Sequence, residues 1–236
     1  MLIVAVFNVF TAPISSDVRQ QIALVPLAMG ASIVRVVAAY AICLAVSLPL
    51  ALFVARSSRA ERLGMPVIEV VASFPATALF PVIIFLLVPY LTPNGAAILM
   101  LLTGMMWYLF FNILSGVRSL PPDLVEAARS YGLRGREFFR RVVLPGIFPA
   151  LITGSITAFG GGWNTLIVAE YLNLGKGHQL AVIGIGELID KGNALGSSGN
   201  ALMAAALLTL VAAVVAINEL IWKPLYRRAV ERYRYD

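Results

Sequence analysis

The sequence predicts an all-α polytopic membrane bundle, with about five complete transmembrane helices after a short or truncated N-terminal one. Three observations carry that expectation. Hydrophobic residues make up 60% of the chain and charged residues 13%, about half the charged share of an ordinary soluble domain. Apolar runs of about 20 residues, enough to cross a hydrocarbon core of about 30 Å, recur along its length. The cations gather in a few places between those runs. At 236 residues the chain reads as one transmembrane domain, 1–236, with no room for a separate soluble catalytic domain.

Met1 to Phe10 is apolar but reaches only about half of a hydrocarbon core at about 1.5 Å per residue. It has no basic stretch before it, so a secretory signal is a poor fit. It reads as the tail of a first helix that starts upstream, or as a short interfacial segment. Thr11 to Gln21 is polar. Ile22 to Ala55 is longer than one crossing needs, and the economical division is an interfacial segment Ile22–Ser32 followed by a spanning helix Ile33–Ala55. Arg35 then snorkels at the outer end of that helix. Arg56, Arg59 and Arg62 make a basic turn.

Met65 to Leu91 holds Pro66, Pro75, Pro81 and Pro89, so a kinked or broken helix is expected, carrying Glu69. Thr92-Pro93-Asn94-Gly95 reads as a tight turn, and Ala96–Leu114 as the next crossing, with Asn112 near its end. A charged island, 115–141, comes after it. Val142–Val168 is the next helix; Gly160, Gly161 and Gly162 stand near its middle, where each glycine costs about 1 kcal/mol relative to alanine. Close helix packing compensates for that cost on one reading. A bend, or backbone exposed beside a translocation path, does so on the other, with Asn164 and Thr165 directly after. Glu170 belongs either to a gate or to a solvated helix end. Residues 169–200 are polar, with a short helix expected at Val182–Ile189. Ala201–Ile221 is the last crossing, and Trp222–Asp236 a basic tail.

Fourteen of the eighteen cations fall in 56–62, 115–141 and 222–236. Alternate crossings put these three stretches on one face, and the positive-inside rule makes that face cytoplasmic. The net charge of +6 is thus an orientation signal, and nucleic acid is not needed to explain it. Cys43 is the single cysteine and His178 the single histidine, so neither a disulfide framework nor a cysteine or histidine metal cluster is available, and no metal site is expected. There is no phosphate-cradling G-x-x-x-x-G-K-[S/T] loop. Gly175-Lys176-Gly177 lacks the spacing. No catalytic constellation assembles, so the chain is not expected to be an enzyme, and any ATP-driven work belongs to a partner.

Within the island, Pro121 to Pro145 reads PPDLVEAARSYGLRGREFFRRVVLP. Asp123 is placed to cap a short helix starting at Leu124, with Glu126 reaching back to the cap. Ala127 and Ala128 leave room for another surface to come close, and Gly132 offers a left-handed stop. Arg134, Arg136, Arg140 and Arg141 lie beyond it, which sets acidic and basic patches side by side for docking. This stretch resembles the cytoplasmic loop of the permease subunits of binding-protein-dependent ABC importers. That family's pattern is Glu-Ala-Ala, three residues, Gly, nine residues, Ile, one residue, Leu-Pro. Glu126, Ala127, Ala128, Gly132, Leu144 and Pro145 are in register, and Val142 stands where the family has Ile. The runs GVRSLPPDLVEAARSYG, RRVVLPGIFPALITG and WNTLIVAEY look most like the nitrate, sulfonate and bicarbonate branch.

The resemblance, which covers about residues 30–225, implies the type I importer permease fold. It implies an ATPase-coupling role for Glu126, Ala127, Ala128, Gly132, Arg134, Arg136, Leu144 and Pro145. It places Gly160, Gly161, Gly162, Asn164 and Thr165 along the translocation path. The implied partners are a cytoplasmic ABC ATPase dimer that uses ATP and Mg²⁺, a second permease subunit or half, an extracytoplasmic substrate-binding protein and membrane lipid; this chain itself binds no cofactor. A permease for another oxyanion or small polar solute is the alternative within transport. An ATPase-independent channel or scaffold is the alternative outside it.

Overall fold

A computed structural model describes residues 15–173 and 179–233. The expectations placed on Met1–Phe10, Lys176, the Gly175-Lys176-Gly177 cluster and His178 lie outside the described residues. Among the described residues, regular structure is helical apart from one two-stranded hairpin.

Ser15 caps α1 (Ser16–Ala23), its hydroxyl accepting from the Val18 N–H at 3.4 Å. After a turn at Leu24, α2 runs unbroken over Val25–Arg56. The expected division at Ser32 is not observed. Pro26 sits in the first turn of α2, where an N–H has no intrahelical partner to lose, so it starts the helix instead of interrupting it. Ser57 caps α3 (Ser58–Ala72) through the Ala60 N–H at 3.1 Å. The proline-rich stretch is broken as its composition predicts. Helix α3 ends before Pro75, a 3-10 turn Ala76–Leu79 leads into α4 (Phe80–Leu86), and Val88–Tyr90 forms another such turn.

The Thr92–Gly95 stretch, expected as a tight turn, opens α5 (Pro93–Arg118). The Thr92 hydroxyl accepts from the Gly95 N–H at 3.1 Å and its carbonyl from the Ala96 N–H at 3.0 Å, so threonine caps and proline takes the first helical position. The island forms α6 (Pro122–Ser130) and the one-turn α7 (Gly135–Phe138). A π turn, Phe139–Val143, runs into α8 (Leu144–Glu170). Strand β1 (Tyr171–Asn173) pairs antiparallel with β2 (Gln179–Ala181), Leu172 opposite Leu180. Then come α9 (Ile185–Ala194), a 3-10 turn Gly196–Gly199, α10 (Asn200–Ile217), a second π turn Asn218–Trp222, and α11 (Lys223–Tyr233).

Among the described residues, four stretches are long and apolar enough to cross a membrane: Ser16–Arg56, Pro93–Arg118, Gly135–Glu170 and Gly196–Glu231. Ser58–Ala72 with Ala76–Leu86 makes a fifth candidate, as a broken span or a re-entrant pair. These agree with the helical membrane bundle expected from composition.

The chain divides into two compact units. The first comprises the residues up to Ala39, Ala76–Leu101 and Gly162–Ile217. Here α9 lies against α10 and the 3-10 turn before it with backbones nearly touching, since a Cβ on Gly199 would overlap the Gly192 carbonyl and one on Gly192 would stand 3.0 Å from the Met203 nitrogen. The second comprises Tyr40–Pro75, Leu102–Gly161 and Asn218 onward. Within it, α5 and α8 run antiparallel at close range. A Cβ on Gly116 would come within 2.6 Å of the Ala150 Cβ, one on Gly154 within 2.7 Å of the Asn112 Cβ, and one on Gly161 would overlap the Gly104 carbonyl. Small residues at the contact let backbones approach, which is how helices associate where lipid offers no hydrophobic drive. Trp222 meets Tyr40 and Phe159 edge to face, with Phe159 and Trp222 ring centroids 4.9 Å apart, and the Tyr40 and Phe159 rings are tilted by 56° to each other.

Candidate functional site

The Pro121–Pro145 stretch keeps its predicted stop and changes its predicted start. Helix α6 begins at Pro122, with Pro121 as the residue before it and no side-chain cap. Asp123 lies inside the first turn, so the Asp123–Glu126 capping box does not form. Both prolines have the φ that a helix start needs, and Pro122 has no N–H to satisfy. Asp123 keeps only the favourable position of a carboxylate at the positive helix end. The stop is as read: Gly132 has φ 81°. The Leu133 N–H returns to the Ala128 carbonyl at 3.0 Å and the Gly132 N–H to the Arg129 carbonyl at 3.0 Å, the paired bonds of a Schellman motif.

The two alanines part company. Ala128 is 7% exposed and α6 lies against the π turn Phe139–Val143, whereas Ala127 and Glu126 are exposed. Tyr131 stands 87% exposed at the helix end. Arg134, Arg136, Arg140 and Arg141 lie toward solvent, and Arg141 pairs with Glu137 one turn back at 3.1 Å. Leu144 and Pro145 are half-buried where the π turn passes into α8. The ring of an interior proline strikes the carbonyl four residues earlier, here that of Arg141, and the wide turn falls where that strain is relieved.

The glycine triplet divides. Gly161 is packed against α5, whereas a Cβ on Gly160 would meet open space. Gly162 is buried, as is Thr165 at 6% exposure, and Asn164 is exposed one turn beyond Gly160. Asn112 donates to the Tyr108 carbonyl at 2.8 Å, and Glu69 is exposed on α3.

Sequence reasoning missed a buried polar cluster in the first unit. Glu170 is fully buried, so it is not a solvated helix end, and Arg35 is 6% exposed, so it does not snorkel. The two form an ion pair. Ser32, also fully buried, donates to the same Glu170 Oε1 at 2.6 Å. Arg35 Nε donates to Asn94 Oδ1 at 2.9 Å, and its Nη2 donates to the Ile183 carbonyl. The Gly186 N–H donates to Glu170 Oε2 at 2.8 Å and the Ile185 N–H to Ser32 Oγ at 2.9 Å. Gly184 has no room for a side chain, because a Cβ there would overlap the Glu170 carboxylate. The available signal was two opposite charges set in or at the end of apolar segments, where a lone charge is expensive.

Comparison with known proteins agrees with this architecture. The aliphatic sulfonates transport permease SsuC of Escherichia coli K12 is 36% identical over 50% of this chain and 43% of its own length. The nitrate import permease NrtB of Leptolyngbya laminosa is 27% identical over 63% of this chain and 52% of its own. The glycine betaine/proline betaine permease ProW of Escherichia coli K12 is 28% identical over 65% and 42%. The chain spans about half the length of the curated relatives it matches. Residues 47–223 match the model of the binding-protein-dependent transport system inner membrane component, and the chain belongs to that family, as a multi-pass protein of the inner membrane.

Proposed function

We propose that this chain is the permease subunit of an ATP-driven importer, one membrane domain that forms a solute path together with a second permease subunit or half. The Pro121–Pro145 stretch couples it to a cytoplasmic ABC ATPase dimer, which hydrolyses ATP with Mg²⁺, and an extracytoplasmic binding protein delivers the solute. Residues 56–62, 115–141 and 222–236 face the cytoplasm. Gly160, Asn164 and their neighbours on α8 face the path.

The observation that carries this reading is the build of α6. A two-turn helix with a firm left-handed stop and a buried Ala128 presents Glu126 and Ala127 outward. A short rigid helix passes on a push from a docked partner, whereas a floppy loop would absorb it. Glu126→Ala removes the outward carboxylate, and Gly132→Leu places a side chain at φ 81°, a strain of about 1–2 kcal/mol. Both variants are expected to insert into the membrane and to lose co-purification of the ATPase and transport. Full transport with unchanged co-purification in both refutes the coupling role.

The sulfonate and nitrate permeases among the relatives favour a small inorganic or organic anion, with bicarbonate in the same class. The betaine permease supports a second reading, a small polar solute that carries a cation. Ligand binding by the cognate binding protein, titrated with nitrate, sulfonates, bicarbonate and betaine, separates the two.

A further inference from the structure

Helix α3 has two unlike sides and a basic end. Ala60, Gly64, Ile68 and Ala72, four residues apart, are half-buried, and no residue of α3 is fully buried. Arg59, Leu63, Val67 and Val70 follow one another at spacings of four, four and three, so they share one face, and all four are exposed, Leu63 by 68%. Glu69 lies about a third of a turn round the helix from that face. Arg56, the last residue of α2, and Arg62 are exposed as well. Among the described residues Arg56, Arg59 and Arg62 form no ion pair, and Glu61, which stands between them in sequence, pairs with Arg118. We propose that this face seats an anionic phospholipid of the cytoplasmic leaflet, its phosphate held by Arg59 and Arg62 at the rim and an acyl chain lying along Leu63, Val67 and Val70. The choice of leaflet rests on the cytoplasmic placement of residues 56–62 proposed above.

Charge and depth both fit that occupant. Ser58, Arg59, Arg62 and Leu63 line a cavity of about 400 Å³, so two guanidinium groups and an apolar side chain meet in one concavity. A guanidinium fork binds phosphate oxygens in pairs, which an ammonium does not. From Leu63 to Phe74, which is exposed just past the helix end, the apolar stretch is about 16 Å long at about 1.5 Å per residue, close to half of a hydrocarbon core about 30 Å thick. It is one leaflet deep below a basic rim, and those are the proportions of a phospholipid. The positive-inside rule accounts for cations at this level. It does not require one of them to head an apolar face and share a cavity with it. A second copy of the chain is a poorer occupant, because it carries the same excess of cations, 18 against 12 acidic residues.

The test uses the purified full-length chain in detergent at low ionic strength. It is titrated with phosphatidylglycerol or with phosphatidylcholine of the same acyl chains, and bound lipid is counted by native mass spectrometry. Phosphatidylglycerol is expected to bind about 25-fold more tightly, and Arg59→Gln and Arg62→Gln each to remove about 5-fold of that preference. Both positions are exposed, so the variants should fold as the parent does. Arg227→Gln with Arg228→Gln, at exposed positions of α11, removes the same charge elsewhere and is expected to leave the preference unchanged. Equal affinity for the two lipids, or an equal loss from the α11 variant, overturns the proposal. Displacement of the lipid by equimolar inorganic phosphate overturns it too, since the site would then be one for free phosphate. Val67→Cys in a background lacking Cys43 is expected to give no disulfide-linked dimer in native membranes; such a dimer would put a second copy on this face in place of lipid. Labelling of residue 130 from outside the cell would instead overturn the choice of leaflet alone, because the lipid preference is measured in detergent, where there are no sides.

Discussion

Gly160 and Gly161 are neighbours in one helix and should respond to the same substitution with opposite signs. Alanine at either position gains helix propensity, about 0.5–1 kcal/mol over glycine. At Gly160 the new Cβ meets open space, so that gain stands alone. At Gly161 the Cβ overlaps the Gly104 carbonyl and comes within 2.7 Å of the Tyr108 ring. The ring can rotate away, but the carbonyl belongs to a hydrogen-bonded helix and cannot. Overpacking of this kind costs about 1–3 kcal/mol, so Gly161→Ala should be neutral to about 2.5 kcal/mol less stable. With about 2–4 °C per kcal/mol for a chain of this size, Gly160→Ala should raise the unfolding temperature by a few degrees and Gly161→Ala lower it. Thermal unfolding of the purified protein in one detergent, monitored by loss of the monodisperse peak, measures both. Two rises would refute the close α5–α8 contact; two equal falls would refute the open face at Gly160.

Tyr40→Phe removes the hydroxyl that lies 2.7 Å from Ser155 Oγ, while Ser155 keeps its bond to the Leu151 carbonyl. The loss should be no more than about 1.5 kcal/mol, read as a small drop in unfolding temperature, and a collapse of expression would show that the pair carries more than one bond. A cysteine at the exposed Ser130, in a background lacking Cys43, should react with a membrane-impermeant maleimide in inside-out vesicles and not in intact cells. Labelling from outside would invert the assigned orientation.

The parts of this fold that are legible in the sequence are those set by local chemistry. Apolar run length locates the spans, the proline density of Met65–Leu91 foretells a broken one, and Gly132 announces its own left-handed stop. Thr92-Pro93-Asn94-Gly95 misleads because every residue in it suits a turn as well as a helix start. The deciding factor is whether the downstream apolar run continues the helix, and Ala96 onward does. The Arg35–Glu170 cluster is illegible for another reason. An arginine near the end of a spanning segment is commonly a snorkelling residue, and only tertiary structure brings its partner to it across 135 positions.

The two π turns show how a local rule and a packing demand meet. Each ends two residues before a proline: Val143 before Pro145, and Trp222 before Pro224. A proline ring strikes the carbonyl four residues back, and a turn one residue wider moves that carbonyl out of the way. The widening also changes register, because one extra residue rotates the helix before it by about 100° relative to the helix after it. Trp222, which reads in sequence as the first residue of a basic tail, is thereby 8% exposed and stacked on Tyr40 and Phe159, while Lys223 and Arg227 beyond it stay exposed. At the other π turn the same change of register buries Val142 and Val143 and leaves Arg140 and Arg141 outside. In both places the proline that seems only to mark the edge of a helix decides which side chains before it enter the core and which remain available to a partner.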